Sequence, residues 1–334
     1  MVRPVVPPGW PETDVDSAVS LLLHEFAQNN GIERPIAWYY TPMALPWTTW
    51  LEPAITVYDC MDELSAFRFA PPRLAELETR LLERADVVFT GGRSLYEAKR
   101  ERHLNVHAFP SAVDAAHFGR ARGEVDGAAD QAGLPRPRIG WFGVIDERTD
   151  LDLLAGIADL RPGWSFVLVG PVVKIDPATI PVRPNLHVLG PRPYAELPAY
   201  IAGWDVAMMP FARNESTRFI SPTKTLEYLA AGRPVVSTSI RDVVDPYQRL
   251  GLARIADTPE EFVAAIEASL EQDQPAFLAA VDAFLAHRSW DETFARMWSL
   301  VEEARDGRAR RAPDGHLPER RRAAGAVSAA VRRP

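Results

Sequence analysis

Residues 219 to 238 read FISPTKTLEYLAAGRPVVST, with Ser221, Pro222, Thr223, Lys224 and Glu227 inside a single short window. A helix start carries free N–H groups and the positive end of the helix dipole, and both favour an incoming phosphate. The spacing predicts a helix with Ser221 as N-cap and Pro222 in its first turn. Lys224 adds a cation near that end, and Glu227 follows about one turn later. A sugar nucleotide needs such partners: donors and a cation for the pyrophosphate, and a carboxylate for ribose hydroxyls. An ordinary capped helix with solvent-facing charges accounts for this window equally well.

Other candidates follow strand-like runs. GWFGVIDER (140–148) places Gly140 and Gly143 at a strand end, with Arg148 just beyond. Glycine lets backbone approach a phosphate closely, and a guanidinium can pair with it. A plain glycine turn with a surface arginine is the alternative. A full GxGxxG is missing, so no dinucleotide fingerprint is read. LVGPVVKID (168–176) offers Lys174 as ligand contact or surface lysine. VLGPRPYAELPAYI (188–201) offers a loop with Gly190, Arg192 and Tyr194 whose main chain could read a base. Asp59, Asp62 and Glu63 follow another strand end and are candidates for acceptor contact, with capping of the next segment as the alternative for Asp59 or Asp62, and preferred for Asp59. Arg93 and Ser94 form a second helix start aimed at the crevice and are candidate acceptor or phosphate contacts. His103, His107 and His117 lack metal-ligand spacing and are read as surface or capping residues. Trp38, Tyr39 and Tyr40 are read as core, with stacking on a sugar at the strand end as the alternative.

The elements that must position these residues alternate in type. A helix over 15–31 is followed by strands near 35–42 and 55–63, a helix over 72–85, a strand over 86–92, a helix over 94–103 and a strand near 106–111. Residues 119–137 are polar and rich in Gly, Ala and Pro, and are read as a linker. A second alternation of strands and helices begins at 138 and runs to 288. A long amphipathic helix is predicted over 289–306, free to pack back across. Residues 307–334, with RARR and ERRR, are read as a disordered tail, solvated or touching acidic lipid. Alternation of this kind predicts an α/β chain with two Rossmann-like, doubly wound parallel domains, over 1–118 and 138–288. Ligands of such sheets bind in the crevice beyond the strand ends.

Bulk properties narrow the function classes. The 334 residues suit two domains. A net charge of -8 argues against nucleic acid as the main partner. The single cysteine, Cys60, excludes an internal disulfide framework and a cysteine-built zinc site. MVRPVVPPGWPETD lacks the apolar core of a signal peptide, and no apolar run approaches the roughly 20 residues of a membrane span. A cytoplasmic protein, in peripheral contact with the inner membrane face at most, is expected.

The ordered set of motifs resembles the retaining GT-B glycosyltransferases close to family 4. In the second half it comprises the GxxG turn, LVGP, LG…Y.ELP.Y…WDVAMMPF and SPTKTLEYLAAGRPVVST. YDCMDELSAF, ADVVFTGGRSLYEAK and FPSAVDAAHF extend it over residues 35 to 305. The resemblance implies that Glu227 holds the donor ribose, and that Ser221, Thr223 and their helix start meet the pyrophosphate beside Arg148. It implies transfer of a hexose from a nucleoside-diphosphate sugar to a glycan or lipid-linked acceptor of cell-surface polysaccharide, with retention and with no metal or other cofactor. No DxD metal loop is read, since DLD at 150–152 falls in a helical pattern. Catalytic roles are expected for Glu227, Arg148, Lys224 and Asp62. Donor contacts are expected from Gly143, Arg148, Lys174, Gly190, Arg192, Ser221, Pro222, Thr223 and Glu227. Two departures stand out: Phe219 replaces the family's first glutamate, and the first domain reads as shortened by about a βα unit. A sugar-nucleotide 2-epimerase and a non-catalytic nucleotide-sugar-binding relative are the alternative readings.

Overall fold

A computed structural model describes residues 3–311, which form two parallel sheets, each flanked by helices. The first unit runs α1 (Glu12–Asn29), β1 (Ile36–Tyr39), β2 (Ile55–Cys60), α2 (Leu74–Arg84), β3 (Val87–Thr90), α3 (Arg93–Lys99), β4 (Val106–Ala108) and α4 (Ala115–Gly119). Its strands pair in chain order β1-β2-β3-β4. β2 and β3 are buried along their whole length, as strands covered on both faces must be.

The second unit runs β5 (Arg138–Phe142), α5 (Leu151–Leu160), β6 (Ser165–Val169), β7 (Leu186–Gly190), α6 (Leu197–Ala202), β8 (Val206–Met209), α7 (Lys224–Ala230), β9 (Val235–Ser237), α8 (Arg241–Val243), β10 (Ala253–Ile255) and α9 (Pro259–Leu270). The sheet order is β10-β9-β8-β5-β6-β7. The chain thus winds outward from β5 through β6 and β7, then returns to lay β8 on the other side of β5. The switch point between β5 and β8 is where a crevice opens at the strand ends.

Two helices follow, α10 (Gln274–Leu285) and α11 (Trp290–Arg311). α11 crosses back to the first unit, where Met297 and Val301 join Ile55, Val57, Val87 and Phe89 in one buried cluster. Burying each of those two side chains is worth roughly 1.5–3 kcal/mol, which makes the crossing helix part of the first core.

Several expectations change. The helix predicted to start at Ser221 starts at Lys224, preceded by Thr223 in helical conformation without a side-chain cap. Pro222 precedes this start and does not lie in its first turn. The stretch 119–137 links the sheets but is packed rather than loose: Gln131 is fully buried, donates to Tyr200 O at 2.7 Å and accepts from Trp204 Nε1 at 3.0 Å. α3 ends at Lys99, where Arg100 and Arg102 begin a turn. α10 and β10 had no counterpart in the sequence reading. α11 extends to Arg311, into the stretch read as tail, and 312–334 lie outside the described residues.

Candidate functional site

The turn after β5 sets the geometry of the crevice. Gly143 has φ +150° and its N–H donates to Val169 O at 2.9 Å, while Gly170, also at φ +150°, follows β6. A β-carbon on Gly170 would overlap the Gly143 carbonyl, so these two strand ends meet only as glycines. Gly170 in turn donates to Gly190 O at 2.9 Å, which fastens the end of β7 to the same edge.

Beyond that turn, Arg148 does not reach freely into solvent. Its guanidinium makes a forked pair with buried Asp146, Nη2 to Oδ2 at 2.6 Å and Nε to Oδ1 at 3.0 Å. Such a fork orients the cation as well as binding it. The Asp146 bond also holds the Arg148 pKa above its ordinary value. Arg148 N–H and Ala212, on the segment after β8, complete the frame, with Ala212 N donating to Arg148 O at 2.8 Å.

Asp62, Arg148, Lys224 and the run Ser221–Pro222–Thr223 line one cavity of about 200 Å³ between the two units, floored by Trp141 and Phe211. Burial pushes the Asp62 carboxyl up, and the charges of Arg148 and Lys224 offset part of that rise. Burial pulls the Lys224 ammonium down, with Glu227 opposing it and Arg148 reinforcing it. Glu227 is itself pushed up by burial, with Lys224 opposing the shift. The cluster is therefore built of charges short of solvent, which an ionic ligand with complementary charges would relieve.

Not every expected residue joins it: Glu227 and Gly143 are not among the residues lining the cavity. Arg192 pairs with Asp130 at 2.8 Å and with the Tyr200 hydroxyl, and so fastens the 119–137 stretch to the second unit. Lys174, at φ +62°, lies at the rim near Glu147, 3.8 Å away, not among the residues lining the cavity. Gly190 ends β7 at φ +76°. Glu63, expected toward the acceptor, turns inward to Lys99 at 2.6 Å. Lys99, 1% exposed, also bonds both oxygens of Glu78 at 2.7 and 2.8 Å. Asp59 is buried, accepting from Trp38 Nε1 at 3.0 Å. The turn of the first unit therefore sends Asp62 alone of these three acids into the cavity.

Three arrangements escaped the sequence reading. Phe67, between β2 and α2, lies against both Arg148 and Lys174, at 5.3 and 5.4 Å from its ring centre. Its neighbours strap the crevice: Ala66 O accepts from Ser216 Oγ at 2.9 Å, and Arg68 donates to Lys174 O at 3.1 Å. Phe219, which stands in for an expected glutamate, packs against the hydrophobic core of the first unit. His117 stacks on Tyr194 with centres 4.4 Å apart and planes 9° apart, and burial, then the charges of Glu227 and Asp114, push the Tyr194 hydroxyl pKa up. The aromatic content of LSAFRFA was visible in sequence, but its partners are not local.

Comparison with known proteins agrees with this fold. The family model described as Glycosyl transferases group 1 matches residues 136–272. TuaH of Bacillus subtilis (strain 168), named for a glycosyltransferase role in teichuronic acid biosynthesis, is 28% identical, over 76% of this chain and 68% of its own. Among solved structures, sucrose-phosphate synthase from Thermosynechococcus elongatus superposes with a TM-score of 0.66 at 14% identity, covering 91% of this chain and 81% of the other. Anabaena Alr3699/HepE in complex with UDP and glucose gives 0.65 at 14% identity, covering 91% and 84%. Residues 136–272 thus match a Glycosyl transferases group 1 domain, and the chain has the GT-B fold of its glycosyltransferase neighbours.

Proposed function

We propose that this chain moves a hexose from a nucleoside-diphosphate sugar to a glycan or lipid-linked acceptor in cell-surface polysaccharide synthesis, with retention and without a metal ion. The observation that carries the reading is the meeting of Asp62, Arg148 and Lys224 around one cavity at the switch point of the second sheet. The likeness to TuaH supports the polysaccharide setting, and the UDP and glucose bound by HepE support the donor class.

In this reading the bond between the anomeric carbon and the donor phosphate breaks, and its electron pair goes to the diphosphate. Lys224 and Arg148 meet the negative charge that develops there, in a site poor in water, where fixed charges act strongly. Asp146 keeps Arg148 oriented throughout. Glu227 takes the ribose hydroxyls, and Ser221 and Thr223 take the pyrophosphate. The acceptor hydroxyl attacks from the side of Asp62 and gives its proton to the departing phosphate oxygen.

A thermal-shift screen with UDP, GDP, ADP and CMP tests the donor half. One nucleotide at about 100 times its Kd should stabilise the protein by roughly 2.7 kcal/mol. That shift should vanish in Glu227→Ala and Lys224→Met. A shift that persists in both variants would put the nucleotide elsewhere.

A further inference from the structure

A second cavity, of about 390 Å³, lies beside the first and shares Ser111 and Ser221 with it. Its walls come from three places. Arg93 and Ser111 follow the ends of β3 and β4, the edge of a parallel sheet at which ligands bind. Asp242 and Asp245 come from the segment around α8, and Arg288 and Arg296 from the end of α10 and from α11. Its volume is within the roughly 300–1,000 Å³ of small-molecule sites, whereas the first cavity is below that range.

The charges here are unequally committed. Asp242 is buried and its Oδ1 accepts from Ser94 N at 3.0 Å, so the start of α3 is already filled by a carboxylate of the other unit. Asp245 pairs with Arg249 at 3.6 Å. Among the described residues, Arg93 and Arg296 have no carboxylate partner, and both are exposed at the cavity. Arg296 lies over Phe109 at 5.5 Å with its guanidinium edge free, whereas Arg288, over Phe284 at 3.7 Å, donates Nη1 to Phe284 O at 2.7 Å. Two uncommitted arginines, Arg93 and Arg296, against Asp245 paired with Arg249 and Asp242 held through Oδ1 with its Oδ2 unpartnered among the described residues, make a receptor for an anion attached to an apolar or sugar ring.

We infer that this cavity binds an acceptor bearing a phosphate or carboxylate, with Arg93 and Arg296 as its anion contacts. This rests on the transferase reading, which already puts the donor in the neighbouring cavity. It adds the chemical class of the acceptor: its anionic group sits with the arginines, and its hydroxyl reaches the shared edge at Ser111 and Ser221.

The test is titration calorimetry of the full chain with sn-glycerol 3-phosphate, glucuronate and neutral glucose. The variants are Arg93→Gln/Arg296→Gln and Lys224→Met, with Arg296→Gln alone if the double variant does not fold. At least one anionic probe should bind the wild type, lose about tenfold in affinity in the arginine variant, equivalent to about 1.4 kcal/mol, and be unchanged in Lys224→Met. Which probe binds tells a phosphate-bearing acceptor from a uronic one. No binding of either anion, binding of glucose as tight as theirs, or binding lost in Lys224→Met and kept in the arginine variant would overturn the inference. Failure of nucleotide binding alone, with the anion still held by the arginines, would count against the donor reading and not against this site.

Discussion

A β-carbon added to Gly143 would overlap Cε of Lys224 and lie 3.0 Å from its Nζ. The lysine of one βα unit is therefore laid directly on the bare backbone of another. At φ +150° the glycine is also in a region that other residues enter only under strain. Gly143→Ala should cost about 1–3 kcal/mol of stability and abolish the nucleotide-induced thermal shift, because the ammonium must move. Retention of the full shift in a folded variant would show that Lys224 is not held for the diphosphate.

The strap at Phe67 makes a kinetic prediction. Its ring lies against Arg148 and Lys174, in contacts worth about 0.5–1 kcal/mol each where exposed. Phe67 does not line the roughly 200 Å³ cavity but rests on Arg148, which does, so it can act on the nucleotide through that arginine. Phe67→Ala should speed both association and dissociation of the nucleotide by several-fold in stopped-flow, with a smaller change in Kd. Unchanged rates would leave the strap a structural contact only.

Lys99 is the interior counterpart of the exposed cations. It is 1% exposed, and its three bonds serve Glu63 and Glu78 on two different elements. Lys99→Met would leave Glu78 with Arg102 and Tyr58, and Glu63 with only the Ser65 hydroxyl. The expected loss is about 3–5 kcal/mol in urea denaturation. Because Glu63 adjoins Asp62, turnover in the surviving folded protein should fall more than nucleotide affinity. A loss under about 1 kcal/mol would contradict a load on this network.

Glu227 makes the ligand-free protein pH-sensitive. Burial raises its pKa above the ordinary 4.5, and Lys224 offsets only part of the rise. The folded state therefore holds this proton more tightly than the unfolded chain. The stabilisation is complete below pH 4.5 and is lost as pH rises through the folded value. Glu227→Gln should remove that decline, so that the variant gains stability relative to wild type between pH 4.5 and neutrality while losing nucleotide binding. Parallel urea midpoints at several pH values check the sign; a difference that does not vary with pH would refute it.

The legible parts of the site were those made by near neighbours in sequence. FISPTKTLEYLAAG announced a helix beginning near a lysine and a glutamate, and the helix is there, though Lys224 rather than Ser221 begins it. GWFGVIDER announced a strand, a glycine turn and an arginine, and β5, Gly143 and Arg148 follow in that order. The alternation of apolar runs with amphipathic ones likewise sufficed for two parallel sheets, because burial on both faces of a strand and one face of a helix is written in local periodicity.

Partner choice was not legible. Glu63 and Asp62 are adjacent in sequence, yet one goes to Lys99, 36 residues on, and the other to the crevice with Arg148 and Lys224. Arg192 read as a ligand contact but is spent on Asp130, 62 residues earlier. Phe219 read as a missing acid and is instead a contact between the units. The sequence by itself determined the alternating elements, their direction and the loops from which charged groups emerge, since these depend on backbone conformation and local burial. Which charges meet, which are neutralised and which are left for a ligand was decided only by the tertiary structure. A buried ion is tolerated only where a counter-charge arrives from another element, and that arrival is a property of packing, not of spacing.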